Sequence, residues 1–357
     1  MHSNNINTLR FFGAFLVLFG HTFALCYGPG GGEDPISELI KPFTGYRAKL
    51  PGIGVAIFFV LSGYLVTKSY LRTDNLMTYL EARILRIYPA LWMALLLTVL
   101  VMGPLVTSLE LTEYFSHQGT WKYLFHNAKL YPNISHRLPG VFLDNPRAGG
   151  VNGSLWTLPV EVRMYLIVAV LGLLGLLRRR WIFNLVACAI VAFYLIAPDK
   201  FFFLHSLRHE RLGVYFLFGA LAFVNRDILT LHWLGVLFLG AIAAINFKGA
   251  FYDVTFAVCL GYVTLYIAFH EHIKFPDFAA HGDFSYGLYL YAFPITQLWI
   301  LFIGPGKPWL VFCATFATTM LLAVSSWHLV EKPTLRLKGK LSSWIETLVG
   351  GHKRSSI

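Results

Sequence analysis

The sequence predicts an all-α fold, a polytopic membrane helix bundle with about ten transmembrane helices. Three observations predict it. Of the 357 residues, 56% are hydrophobic and 13% charged, whereas soluble chains carry about 25% charged residues. Mean hydropathy is +0.60. Apolar runs of roughly 20 residues, the length needed to cross a bilayer, recur along the whole chain. The aromatic share, 16%, suits belts of Trp and Tyr at the headgroup level.

The predicted spans are Leu9–Tyr27, Gly52–Tyr70, Ile87–Val106, Leu155–Leu177, Trp181–Ala197, Leu212–Val224, Leu229–Phe247, Phe251–Phe269, Phe284–Ile303 and Trp309–Val330. The sixth is the shortest and follows the charged cluster His205–Arg211. The first run resembles a signal-peptide core, but no small-x-small cleavage site follows it cleanly, so it is expected to remain as a span. No internal repeat or low-complexity segment is present. Residues 1–335 therefore read as one transmembrane domain, followed by a short tail over 336–357.

Ten crossings put both termini on one side. With the N-terminus inside, Lys68, Arg72, Arg83, Arg86 and Arg178–Arg180 form short basic clusters beside span ends. That placement favours cytoplasmic termini and leaves the long Thr107–Gly153 connection outside.

Net charge is +11. The surplus reads as membrane-surface anchoring rather than a nucleic-acid interface, since no long basic tract is interleaved with aromatics. The four cysteines are scattered through apolar segments and suit neither a zinc site nor a disulfide framework. No HExxH or similar ligand spacing occurs, so no metal is expected.

Ionisable residues at membrane depth are costly and mark the places to search for function. Arg10 and His21 are eleven positions apart on the first span. That is three turns plus roughly 20°, so both face the same way, about 16.5 Å apart along the axis. Arg83 and Arg86 share a helix face and suit a clamp for phosphate oxyanions. Glu161 lies near the start of the fourth span, positioned to orient or activate a neighbour. Each has a plainer reading: snorkelling for Arg10, membrane anchoring for the arginine pair, an interhelical ion pair for Glu161 and packing for His21. Ser62-Gly63 and Asp283-Phe284-Ser285 are expected to pack helices closely, with Ser285 as a helix cap. His328 and Glu331 read as terminus chemistry ahead of Lys332-Pro333, where the last helix should stop.

Six segments together resemble one family. They are Arg10 with His21; Phe58-Phe59-Val60-Leu61-Ser62-Gly63; Arg83-x-x-Arg86-Ile87-Tyr88-Pro89; and Ser154-Leu155-Trp156-Thr157-Leu158 with Glu161 and Tyr165. The others are Phe284-Ser285-Tyr286-Gly287-Leu288-Tyr289-Leu290 and Glu331-Lys332-Pro333. In this order the chain resembles the bacterial acyltransferase 3 family of membrane O-acyltransferases. The resemblance implies a bacterial inner-membrane enzyme with acetyl-CoA as cytoplasmic donor and a carbohydrate hydroxyl, usually of a surface or exported glycan, as acceptor. It implies His21 as the catalytic histidine and Arg10, Arg83 and Arg86 as donor-binding residues. The tail is short for the fused extracytoplasmic domain that some relatives carry. Relatives often have His just before the Pro of Tyr291-Ala292-Phe293-Pro294; here it is Phe293, so no role of that His transfers.

The expected mechanism is acyl transfer, with His21 deprotonating the acceptor hydroxyl or briefly carrying the acetyl group. Glu161 is expected to hold the imidazole tautomer, as triad carboxylates do. The alternative is a transporter or flippase for a lipid-linked sugar, which would use the same polar residues as a path. The lack of an inverted repeat argues against it. A eukaryote-like membrane-bound O-acyltransferase would place its essential His in a later span.

Overall fold

The computed structural model describes residues 5–44, 48–73, 75–131, 133–196, 207–249, 251–276 and 281–340. Most of the tail, 341–357, and Ala197 of the predicted fifth span lie outside these residues. The helices are α1 (Ile6–Tyr27), α2 (Pro35–Thr44), α3 (Leu50–Thr73), α4 (Leu76–Leu97), α5 (Gly103–Val106), α6 (Leu111–Ser116), α7 (Gln118–Ala128) and α8 (Thr157–Leu173). They continue with α9 (Arg180–Ile196), α10 (Leu207–Val224), α11 (Trp233–Ile245), α12 (Tyr252–Phe269), α13 (Ser285–Ile303), α14 (Pro308–Ser326) and α15 (Lys332–Leu335).

Among the described residues, seven helical stretches are long and apolar enough to cross a membrane: α1, α3, α4 through α5, α8 with the turn before it, α12, α13, and α14 through α15. The helices α9, α10 and α11 are apolar but shorter over the stretches that qualify. Large apolar side chains face outward along the bundle, among them Trp92, Leu105, Leu173 and Ile196. An apolar exterior of this extent suits lipid rather than water.

Side-chain pairings fix the helix directions. Gly13 meets Gly54 and Phe58, and Gly20 meets Pro51, so α1 and α3 are antiparallel. Ser62 meets Glu161, and Tyr70 meets Gly172, so α3 and α8 are parallel. Arg10 pairs with Asp283, and His21 packs on Phe293, so α1 and α13 run parallel. Asn5 binds the carbonyls of Ile267 and Ala268, bringing the end of α12 to the start of α1. Arg211 of α10 pairs with Asp253 of α12 at the opposite end. The starts of α1, α4, α9 and α13 and the ends of α3, α8, α10, α12 and α14 thus gather at one end, the arginine end.

Two helices run further than expected. The third span was predicted to begin at Ile87, yet α4 starts at Leu76, so Arg83 and Arg86 lie on its second and third turns. Its N-cap Asn75 accepts from the Thr78 backbone N–H, which starts the helix. Pro333 was predicted to end the last helix. Instead the backbone widens into a π-helical stretch, Trp327–Glu331, and continues through Lys332–Leu335. Pro333 falls in the first turn of α15, where its missing N–H costs little. The sixth span reaches back to Leu207.

Small residues decide how closely the central helices approach. A Cβ on Gly63 would lie 2.0 Å from the Phe216 carbonyl oxygen, and one on Gly219 would lie 2.0 Å from that of Val60. The expected packing role of Gly63 is therefore met on α10, while Ser62 turns toward Glu161. We expect Gly63→Ala to destabilise the fold by about 1–3 kcal/mol, as overpacking does. Gly240→Ala, with open space at its Cβ, should be neutral or stabilising by about 0.5–1 kcal/mol. Thermal unfolding in detergent compares the two.

Candidate active site

At the arginine end, α1, α3, α4, α8 and α13 enclose a cavity of about 350 Å³. Arg10, Arg83, Arg86, Glu161, Tyr165 and Asp283 line it with apolar Val55, Phe58 and Leu158. Four of the five site residues expected from the sequence thus meet in one chamber. The fifth, His21, does not line it.

The arginines are held differently. Arg10 Nη1 lies 2.5 Å from Asp283 Oδ2. Arg86 Nη2 reaches the same oxygen at 2.8 Å, and its Nη1 lies 3.5 Å from Glu331 Oε2. Arg86 also stacks over the Tyr286 ring, 5.5 Å from its centroid. Among the described residues, Arg83 meets no carboxylate at ion-pair distance. Its guanidinium sits over the rings of Tyr79 and Tyr165, at 5.8 and 5.5 Å. Nη2 lies 3.5 Å from Ser69 Oγ, and the buried Nε has no hydrogen-bond partner. A buried donor without a partner is costly, so Arg83 is the least satisfied of the three arginines.

Asp283 and Glu331 are the functional residues that sequence reasoning missed. Asp283 was read with its neighbours as a packing element and Glu331 as terminus chemistry. Instead Asp283 neutralises two arginines from different helices. Its Oδ1 accepts from the Ser285 hydroxyl at 2.5 Å and from the Ser285 backbone N–H at 3.3 Å. Ser285 is therefore not the expected cap: it is the first residue of α13 and donates to Asp283. Burial alone would raise its carboxyl, but Arg10, Arg86 and Ser285 hold it well below the usual carboxylate range. Its contribution to stability is present above the ordinary carboxylate value near 4 and is lost only as pH falls far below it. Glu331 is buried and accepts from Ser326 Oγ at 3.2 Å. The π-helical turn beneath it sets its position, a common use of such turns. An acidic residue beside a predicted span was the signal available for both.

Glu161 accepts a short hydrogen bond from the Tyr165 hydroxyl and a long one from Ser62 Oγ, at 3.4 Å. It was expected to hold the His21 tautomer, and the geometry corrects this. The His21 Nδ1 lies 3.5 Å from Ser154 Oγ. Glu161 is seven residues beyond Ser154, about 10 Å along a helix, and its bonds point to Tyr165 and Ser62.

A hydrogen-bonded wall separates the chamber from His21. Thr157, which lines the chamber, has its Oγ1 2.6 Å from the Tyr289 hydroxyl. That hydroxyl donates to the Ser154 carbonyl at 2.8 Å. Asn152 fixes the turn, accepting from the Ser154 backbone N–H at 3.1 Å and donating to the Leu290 carbonyl at 2.9 Å. On its other side His21 meets Phe293 edge-on, with centroids 5.5 Å apart.

The fold and chamber define an all-helical membrane protein with a basic cavity at one end and a histidine on the far side of its wall. Sequence comparison gives the class a name. The acyltransferase-domain family profile matches residues 3–328. The chain belongs to this family, the acyltransferase 3 family expected from its motifs. It is 30% identical to an "O-acetyl transferase" of Shigella phage Sf6, over 96% of this chain and 99% of that one. It is 28% identical to "Nodulation protein 10" of Rhizobium leguminosarum bv. viciae, over 95% of each. No solved structure matches.

We expect Asp283→Asn to leave two buried guanidiniums under-compensated and to cost about 3 kcal/mol, the scale for breaking a buried ion pair. Thermal unfolding in detergent measures it. Glu38→Gln, which removes the exposed partner of Lys41, should change stability by less than about 0.5 kcal/mol.

Proposed function

We propose that the protein is an O-acetyltransferase of the bacterial inner membrane that uses cytoplasmic acetyl-CoA and acetylates a hydroxyl of a surface or exported carbohydrate. The observation that carries this reading is one chamber with three arginines, separated from His21 by the Thr157–Tyr289–Ser154 wall. Coenzyme A is polyphosphorylated and ends in a long, thin thioester arm. Arg83 would take phosphate first, having no carboxylate to give up. Arg10 and Arg86 would add charge-assisted bonds while keeping Asp283 as their common anchor. Apolar Val55, Phe58 and Leu158 suit the arm as it runs toward the wall.

The chemistry needs a base at that wall, where His21 meets Ser154. His21 removes the acceptor hydroxyl proton as the oxygen attacks the thioester carbonyl. The C–O bond forms, the C–S bond breaks, and coenzyme A leaves as its thiolate, which takes up a proton. Ser154, 3.5 Å from Nδ1, helps to orient the imidazole. Glu161, bound to Tyr165 and Ser62, acts within the chamber.

Topology fits the same reading. Over the stretches that qualify, helices α9, α10 and α11 are apolar but shorter than the seven longer stretches. Counting them as crossings gives ten, with the start of α1 and the end of α14 at the arginine end. Basic clusters at that end support its assignment to the cytoplasm.

Purified protein incubated with radiolabelled acetyl-CoA and candidate glycans should transfer label. His21→Ala should lower the rate by roughly 10²–10⁴-fold, the range for loss of a general base, with protein abundance unchanged. Transfer at the wild-type rate would remove the assignment. Arg83→Ala should raise the Kd for acetyl-CoA about tenfold, from the loss of a charge-assisted hydrogen bond of roughly 1.5 kcal/mol. Calorimetric titration measures it, and unchanged affinity would discard the phosphate role.

A further inference from the structure

A second pair of cavities lies across the bundle and shares no residue with the chamber. Between α8, α9 and α10 is an apolar cavity of about 180 Å³, with Val168, Leu171, Phe183, Ala187 and Val191 in its walls and no charged side chain. Leu177 lines it and also lines an adjoining open cavity of about 640 Å³ at the arginine end. That one carries Arg72, Arg178, Arg180 and Arg226 against a single acidic residue, Asp227. We propose that the two form one binding site for an anionic phospholipid, with an acyl chain in the apolar cavity and the headgroup phosphate among the arginines.

The two halves demand different chemistry. A soluble anion satisfies the mouth and leaves the apolar cavity empty. An apolar guest satisfies the cavity and leaves the mouth uncompensated. A phospholipid satisfies both, with its phosphate at the depth where the helix ends meet the headgroup layer. The mouth is also built rather than merely basic. Asn184 of α9 and Asn225 beyond α10 exchange two side-chain hydrogen bonds, at 2.9 and 2.8 Å, which pin the helices beside it. Arg226 stacks on Phe223 at 4.6 Å, and Arg180 lies over Trp181 at 5.6 Å. Trp181 is exposed, as an interfacial anchor is. Positive charge that only set topology would need basic residues near the helix ends, with no cleft opening beside them.

Native mass spectrometry of the delipidated full-length protein tests this, with phosphatidylglycerol, phosphatidylcholine and soluble glycerol 3-phosphate as probes. Wild type should retain phosphatidylglycerol at least tenfold better than phosphatidylcholine, since a single basic residue near an anionic surface already contributes roughly 1 kcal/mol. Arg180→Ala with Arg226→Ala should abolish that preference. Lys122→Ala with Lys307→Ala, which removes equal charge elsewhere, should keep it. Val191→Phe, which fills the apolar cavity, should weaken retention of both lipids about tenfold. Equal retention of the two lipids by wild type would overturn the site. Loss of preference in both double variants would reduce it to general charge attraction and overturn it as well. Binding of glycerol 3-phosphate as tight as that of phosphatidylglycerol would overturn the acyl-chain half. Thermal unfolding of each variant shows that a lost lipid is not a lost fold.

Discussion

Asp283 is the point on which the arginine end depends. Its carboxylate joins Arg10 of α1 to Arg86 of α4 and sits at the head of α13. Glu331 adds the end of α14 through Arg86. Four helices far apart in sequence thus meet at one small ionic cluster. Removing charges from water is expensive, so such a cluster persists only when every member is partnered. The two arginines and two carboxylates balance, so the carboxylates hold and aim the arginines, and Arg83 beside them leaves the chamber positive.

Arg83 shows the other half of that arrangement. It shares a face with Arg86 but meets tyrosine rings and a serine instead of a carboxylate. Two arginines one turn apart are therefore held differently, one by carboxylates and the other by aromatic rings. The wall of Thr157, Tyr289 and Ser154 divides the interior in a similar way. A charged, polar chamber lies on one side and the imidazole on the other.

Periodicity and composition made the helices legible. A continuous apolar run nearly 20 residues long has few solutions in lipid other than a helix, because each backbone polar group must be satisfied within its own segment. The shared face of Arg10 and His21 was legible for the same reason, and both do face α13. Asp283 and Glu331 were not legible as partners of Arg86. They lie 197 and 245 positions away, and no local pattern carries information about a pairing across that distance. The continuation through Pro333 was missed for a different reason. A π-helical turn just before it moved the proline into a first turn, where it is tolerated.

The sequence by itself determined the solvent, the helical class, the order of the apolar segments and the family, since these follow from local composition, spacing and motif order. It also determined which polar residues were worth their cost at membrane depth. Only the tertiary structure decided their company. It gathered Arg10, Arg83, Arg86 and Glu161 into one chamber, left His21 beyond the wall with Ser154, and bound Glu161 to Tyr165 and Ser62 instead of the imidazole. The physical reason is that a helix fixes where a side chain points relative to its own axis, whereas the partner it meets depends on how the axes pack. That packing was set by small residues such as Gly63 and Gly219 and by charges that could not be left alone.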